Sequence, residues 1–126
     1  MTLPLTPHVL VAAYEYLRAT APFRRWALPP ADEVEFCVTR HRDREGDHDV
    51  RGAQRDHVLR VSSYWIKTTS ELMEVMAHEM IHAKQRMTRT ASNDKHNAEF
   101  HRLAQRVCQQ HGWDKIEFMG PGVDAA

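Results

Sequence analysis

Two histidines four residues apart, with a glutamate directly after the first, restrict most strongly what this chain can fold into. They are His78, Glu79 and His82 in the stretch HEMIH. The surrounding run predicts one helix, and residues four apart lie on the same face of a helix. Both imidazoles can therefore aim at one point, and Glu79, about 100° round from His78, can reach a water held there. This H-E-x-x-H pattern is typical of zinc sites with two nitrogen ligands and a nearby base.

A catalytic zinc needs a third protein ligand and one open position for water. An extended H-E-x-x-H-x-x-G-x-x-H motif would need glycine at 85 and histidine at 88, where this chain has Gln85 and Thr88. We expect His96 to begin the next helix, fourteen residues after His82, and Glu99 to follow one turn later. Both candidates share a helical face, so either side chain could supply the third ligand. The plainer interpretation is an amphipathic core helix whose histidines only form hydrogen bonds.

Three main helices are predicted from hydrophobic spacing and capping signals. Thr6-Pro7 starts the first, because threonine caps a helix and proline loses nothing at its first position. Thr68 and Glu71 form a capping box before the second. Gly112 is expected to end the third. The predicted ranges are residues 7 to 19, about 70 to 89 and about 96 to 110.

The strands are read from partial alternation of apolar residues. Residues 34 to 40 and 57 to 66 predict two strands, while residues 47 to 54 fit either a polar edge strand of a hairpin or a loop. Arg55-Asp56 is interpreted as a turn. The C-terminal apolar residues after Gly112 fit a short closing strand or simple packing. These elements predict an α+β fold, in which a small antiparallel sheet of about three strands packs against three main helices.

The balance of charge limits the partners expected of this chain. Lysine plus arginine equals aspartate plus glutamate, 17 each, which gives no strong electrostatic case for nucleic acid or an anionic membrane. Two small basic clusters, at residues 24–25 and 84–89, leave nucleic-acid contact as a secondary hypothesis. His41, His48 and His57 lie in the charged hairpin region and are expected to be solvated.

The length predicts one domain with a hydrophobic core large enough to need no disulfide, although a single disulfide between the two cysteines is the alternative. Cys37 and Cys108 are far apart in apolar surroundings, as expected of buried thiols in a reducing compartment. We see no signal peptide or transmembrane helix, so the expected location is the cytoplasm. No large apolar stripe is left over, so a monomer is expected.

Two motifs in order resemble a known family. HEMIHA at residues 78–83, a loop of about a dozen residues, and HNAEF at residues 96–100 resemble the SprT-like metallopeptidases, including the Spartan proteases. That family shows H-E-x-x-H-A, then a histidine followed by glycine, two residues and phenylalanine. The resemblance covers roughly residues 55 to 112, and Asn97 stands where glycine is usual. It implies that Phe100 packs behind the site and that Glu99 supports a ligand.

The resemblance implies a zincin-like fold with the metal site between the second and third helices. It implies that Zn²⁺ is held by His78, His82 and His96, with Glu79 as general base in the hydrolysis of peptide bonds. Residues 1–126 then form a single metallopeptidase domain without the paired cysteines of a zinc ribbon, acting on protein or peptide and, as in the best-known relatives, on DNA-associated proteins. The alternative is a zinc-stabilised binding domain without proteolysis, which a fourth protein ligand would indicate.

Overall fold

A computed structural model describes residues 3–52 and 56–120 and has the expected α+β class. The fold consists of three long helices, one short helix and one three-stranded sheet. The elements in chain order are α1 (Pro7–Arg18), β1 (Val34–Thr39), β2 (Gly46–Arg51), β3 (Asp56–Ser62), α2 (Thr69–Thr88), α3 (Ala98–His111) and α4 (Lys115–Met119), with short 3-10 helices at Phe23–Arg25 and Ala31–Glu33 between α1 and β1. In the described ranges, none of the helices has the length and apolar character needed to cross a membrane.

The helix boundaries confirm the capping signals to within about two residues. The side chain of Thr6 accepts a hydrogen bond from the backbone N–H of Val9 at the start of α1. At the start of α2, Thr68 accepts from the N–H of Glu71, whose carboxylate accepts from the N–H of Thr68 in return. Gly112 ends α3 in the left-handed conformation, where the missing Cβ removes the steric cost.

The sheet is mixed, so the prediction of an antiparallel sheet is wrong for one of its two strand pairs. The strand order is β1-β3-β2, with β1 parallel to β3 and β2 antiparallel to β3. Burial explains this order: Val58, Leu59 and Val61 make β3 apolar enough for the centre, while the polar strand β2 takes an edge. The ambiguous segment at 47–54 is therefore an edge strand up to Arg51, followed by a turn residue, Gly52. Residues 53–55, which include Arg55 of the predicted turn, lie outside the described ranges.

Strand β3 is shorter than predicted because the chain turns at Ser62. The Ser62 hydroxyl donates to the carbonyl of His41 at 2.6 Å and accepts from the N–H of Tyr64 at 3.3 Å. The last four residues of the predicted strand form this turn and the approach to α2. Asp56, predicted in a turn, is the first residue of β3.

The core lies between the sheet and helices α1, α2 and α3. Helix α2 is its centre, because ten of its residues are buried, including the two ionisable residues His78 and Glu79. Burying two ionisable side chains in a central helix costs free energy unless they are paired or functional. The fold therefore directs attention to the middle of α2.

The C-terminal region departs from the predicted choice of strand or irregular packing. It forms helix α4, whose first turn is capped by the Asp114 side chain accepting from the N–H of Glu117 at 3.1 Å. Phe118 of α4 is buried against the core, whereas Ile116 is exposed. Helix α4 thereby lies against α2 and α3.

Candidate metal centre

Three histidines converge where α2 meets the segment before α3. The ligand-capable nitrogens of His78, His82 and His96 all lie within 4.8 Å of one another. The Nε2 atoms of His78 and His96 are 3.2 Å apart. His78 and His82 project from one face of α2, as their spacing predicts. His96 lies just before α3 and not at its first turn, which corrects the expectation that it begins the helix.

The donor set fits a zinc ion. His82 Nε2 is buried, and within the described residues it has no hydrogen-bond partner. A buried polar atom without a partner costs about 1–3 kcal/mol, which a bound cation would offset. Burial, followed by the neighbouring His78 and His96, lowers the pKa of His82 to about 2, so this imidazole is neutral at physiological pH. Neutral imidazole nitrogens are the form that binds Zn²⁺.

A backbone carbonyl from α4 orients His78. The Nδ1 atom of His78 lies 3.2 Å from the carbonyl oxygen of Phe118. If Nδ1–H donates to this carbonyl, the lone pair of Nε2 faces the other two histidines, which is the usual arrangement around ligating histidines. Sequence reasoning missed this contact. The Asp114-x-x-Glu117 capping pattern was the available signal that the segment forms a helix.

Phe100 forms the apolar wall of the site, as the resemblance implied. Its ring centroid lies 5.0 Å from that of His78, 4.6 Å from His82 and 4.7 Å from His96. Glu99, the other candidate ligand, lies outside the histidine cluster. Both of its carboxylate oxygens accept hydrogen bonds from Arg102, whose guanidinium lowers the pKa of Glu99.

Asn97 fixes the segment that carries His96. It is the N-cap of α3, where its Oδ1 accepts from the N–H of Phe100 at 3.0 Å. The same oxygen accepts from Nε2 of the buried Gln85 on α2, also at 3.0 Å. Its Nδ2 donates to two groups of the preceding loop, the Thr90 carbonyl and the Ser92 hydroxyl. The glycine that is usual at this position in the resembling family has no side chain and could form none of these hydrogen bonds.

Glu79 is fully buried beside the edge of the sheet. A Cβ added at Gly46 of β2 would lie 3.5 Å from Cγ of Glu79 and 3.0 Å from Cγ2 of Val75. Strand β2 therefore approaches α2 closely because position 46 has no side chain. This contact places the glutamate between the helix and the polar edge strand.

The surroundings of the histidine cluster carry opposite charges on two sides. A cavity of about 170 Å³ beside His78 is lined by four glutamates, Glu45, Glu71, Glu74 and Glu117. Burial, then the nearby Glu117, raises the pKa of Glu74. A second cavity of about 130 Å³ beside His82 is lined by two cationic side chains, Arg86 and Lys95, together with the imidazole of His48 and one carboxylate, Asp49.

The prediction that the hairpin histidines are solvated is wrong for two of the three. His48 Nε2 and His57 Nδ1 are 2.7 Å apart across the β2–β3 pair. Burial, followed by the neighbouring His57 and Arg86, lowers the pKa of His48 to about 3. Only His41 is exposed as predicted. The error arose because cross-strand register, which brings His48 and His57 together, is not visible in the sequence.

Comparison with known proteins supplies one match. The family model of the SprT-like family matches residues 14–118, which extends the resemblance from half of the chain to most of it. No curated protein and no solved structure gives a significant match to the chain.

Proposed function

The chain belongs to the SprT-like family, and from that premise we propose that it is a zinc-dependent metallopeptidase of the H-E-x-x-H type with a zincin-like fold. The observation that carries the proposal is the convergence of His78, His82 and His96 beside the buried Glu79. Three protein ligands leave a tetrahedral metal one position for water, whereas structural zinc sites are usually closed by four. This count favours hydrolysis over a purely structural role.

The ion and the protein divide the chemistry between them. A bound Zn²⁺ would lower the pKa of a water to about 7 and polarise the scissile carbonyl. Glu79 accepts the proton of the attacking water and delivers it to the nitrogen of the leaving amine, so the peptide bond breaks as the new carbon–oxygen bond forms. His78 is held for its task by the Phe118 carbonyl, and Phe100 excludes water from behind the three imidazoles.

The proposed substrate is a protein or peptide, including protein associated with DNA. Strand β2 is an edge strand that passes the buried Glu79, so an extended chain would have access to the site from that side. The two oppositely charged cavities flank the same site. A monomer of one domain, acting in the cytoplasm, remains our expectation.

The competing function is a zinc-stabilised binding domain that has lost proteolysis. Such a domain has no need of a buried carboxylate next to its first ligand. Glu79 is 0% exposed on a central helix, directly after the first of the three histidines. We therefore favour the enzyme.

Substitution of Glu79 tests the proposal. Glu79→Gln should lower the hydrolysis of a fluorescently labelled unfolded protein by about 10²–10⁴-fold, the usual contribution of a general base. The variant should still bind one zinc per chain by elemental analysis, since the histidines are intact. His96→Ala should lose most of both zinc and activity. Glu33→Gln, at an exposed glutamate before β1, is the matched control and should retain wild-type activity.

Two results would reject the proposal. Wild-type protein that carries zinc yet cleaves no unfolded substrate would favour the binding domain. Full activity of Glu79→Gln would show that another group takes the proton.

A further inference from the structure

The cavity beside His82 has a positive charge that the protein itself does not neutralise. Its two cations, Arg86 and Lys95, are exposed, and in the described ranges neither forms an ion pair with a carboxylate. The third polar wall, His48, has a pKa of about 3 and is uncharged at neutral pH. Asp49 supplies one negative charge. One positive charge in the cavity is therefore left unbalanced.

Both cations are attached directly next to the candidate metal ligands. Arg86 follows His82 by four residues and His78 by eight, so the three side chains form one row along helix α2. Four residues of helix advance by about 6 Å, which places Arg86 one turn beyond His82. Lys95 directly precedes His96 in the chain. A group bound by the two cations would therefore lie beside the metal centre.

Strand β2 runs past Glu79 towards this cavity. Its Gly46 packs against Val75 and Glu79, and His48, two residues later, lines the cavity together with His82. Two residues of strand advance by about 7 Å. A substrate chain that is extended beside this edge strand, with its scissile bond near Glu79, would therefore bring a nearby side chain to the cavity.

The walls of the cavity are held in place by contacts within the protein. On the sheet side, His48 Nε2 lies 2.7 Å from Nδ1 of His57. Burial, followed by the positive charge of Arg86, lowers the pKa of His57, so the guanidinium lies close to this pair. On the opposite side, the Ser92 hydroxyl accepts a hydrogen bond from Nδ2 of Asn97 at 3.0 Å. Walls that are already ordered lose less conformational entropy when a ligand binds.

We propose that this cavity is a specificity subsite that binds a carboxylate of the substrate. The carboxylate belongs to a glutamate or aspartate side chain near the scissile bond, or to the C-terminus of the peptide. The guanidinium of Arg86 can bind both carboxylate oxygens, and Lys95 adds a second charged donor. One unbalanced positive charge matches a carboxylate better than a phosphate group with nearly two negative charges. The inference rests on the proposed function, because a subsite is defined relative to the bond that is cleaved.

The first experiment is digestion of a mixed peptide library by the wild-type protein, with cleaved bonds identified by mass spectrometry. Glutamate and aspartate should be enriched at one position within about three residues of the cleaved bond. Two peptides that differ only as glutamate or glutamine at that position are then compared. The glutamate peptide should have a kcat/KM about 5- to 25-fold higher, because each exposed ion pair contributes up to about fivefold. Loss of the preference on amidation of the C-terminus would identify the terminal carboxylate as the bound group.

Charge variants test which residues produce the preference. Arg86→Gln with Lys95→Gln should reduce the ratio of the two kcat/KM values to within about twofold of one. Arg86→Lys retains the charge and should retain a preference for glutamate. Arg24→Gln with Arg25→Gln removes the same charge from another exposed segment and should keep the wild-type ratio. Salt at 1 M, where the Debye length is about 3 Å, should reduce the wild-type ratio. Zinc content and circular dichroism of each variant confirm that the site and the fold are intact.

Binding to Glu79→Gln separates failure of this inference from failure of the proposed function. This variant should hold zinc without turnover, so fluorescence anisotropy can compare labelled peptides with glutamate or glutamine at alternate positions. Cleavage by the wild type without an acidic preference, or with a preference that survives in Arg86→Gln with Lys95→Gln, would overturn the subsite and leave the peptidase intact. If the wild type cleaves nothing, tighter binding of the glutamate peptide, lost in that double variant, would support a carboxylate site without hydrolysis. Equal binding of both peptides would overturn it.

Discussion

Replacing Asn97 should destabilise both the fold and the metal centre, because this side chain ties the segment carrying His96 to helices α2 and α3. Asn97→Ala removes the cap of α3, a loss of about 1 kcal/mol. It also removes the partner 3.0 Å from the Gln85 amide, which is buried and keeps only a longer contact of 3.3 Å to the Thr90 carbonyl. Weakening a buried hydrogen bond in this way costs about another 1 kcal/mol. The bonds to the exposed loop add little, so the total is about 2 kcal/mol.

This free energy corresponds to a measurable change in melting temperature. An unfolding entropy of about 2.1 cal/mol/K per residue gives about 0.26 kcal/mol/K for a chain of this length. Asn97→Ala should therefore lower the Tm of the metal-free protein by about 8 °C. Zinc affinity should fall about 10-fold or more, because groups that position a ligand usually contribute that much.

The assay is thermal unfolding by circular dichroism in the presence of a chelator, together with zinc titration against a competing chromophoric chelator. Asn93→Ala is the matched control, because Asn93 is an exposed asparagine of the same loop. It should change the Tm by less than about 2 °C, the range typical of surface substitutions. If Asn97→Ala unfolds within a degree or two of the control, or binds zinc as tightly as wild type, the proposed positioning of His96 is wrong.

Two further predictions concern strand β2. Gly46→Ala should destabilise the protein by about 1–3 kcal/mol in urea unfolding, because a Cβ there would lie 2.8 Å from the Arg60 carbonyl oxygen and 3.0 Å from Val75; an unchanged midpoint would contradict the close approach of β2 to α2. The folded-state pKa of His48, about 3, lies below its unfolded value of about 6.5. Its contribution to the free energy of unfolding is therefore complete above pH 6.5 and is lost as the pH falls towards 3. Between pH 6.5 and 5 the chelator-treated wild type should therefore lose about 2 kcal/mol more stability than His48→Asn, and equal losses would show that His48 is not held neutral beside His57.

The sequence predicted features that depend on neighbouring residues. Helix α1 was predicted over residues 7 to 19 and extends over Pro7–Arg18, because the Thr6 cap and the following proline act within one turn. The pair His78 and His82 shares a face for the same reason, since four residues of helix determine the geometry. Such signals need no knowledge of the rest of the fold.

Features that depend on distant residues were predicted less well. The six residues between β1 and β2 suggested an antiparallel neighbour, yet β3 lies between these strands and pairs in parallel with β1. The deciding factor is which strand is apolar enough for the centre of the sheet, a comparison among all three strands. The burial of His48 follows from the same register, since His57 lies on the neighbouring strand.

The candidate metal centre combines both kinds of information, and this determines which parts of it the sequence could predict. Two ligands came from helical spacing, whereas the third came from resemblance, because nothing local requires the loop before α3 to fold back onto α2. The structure supplies the local reason in Asn97, which caps α3 and bonds to Gln85 in one step. It also supplies the Phe118 carbonyl that orients His78. Because neither group is a ligand, a search for metal-binding residue types alone would overlook the contacts on which the convergence of three histidines depends.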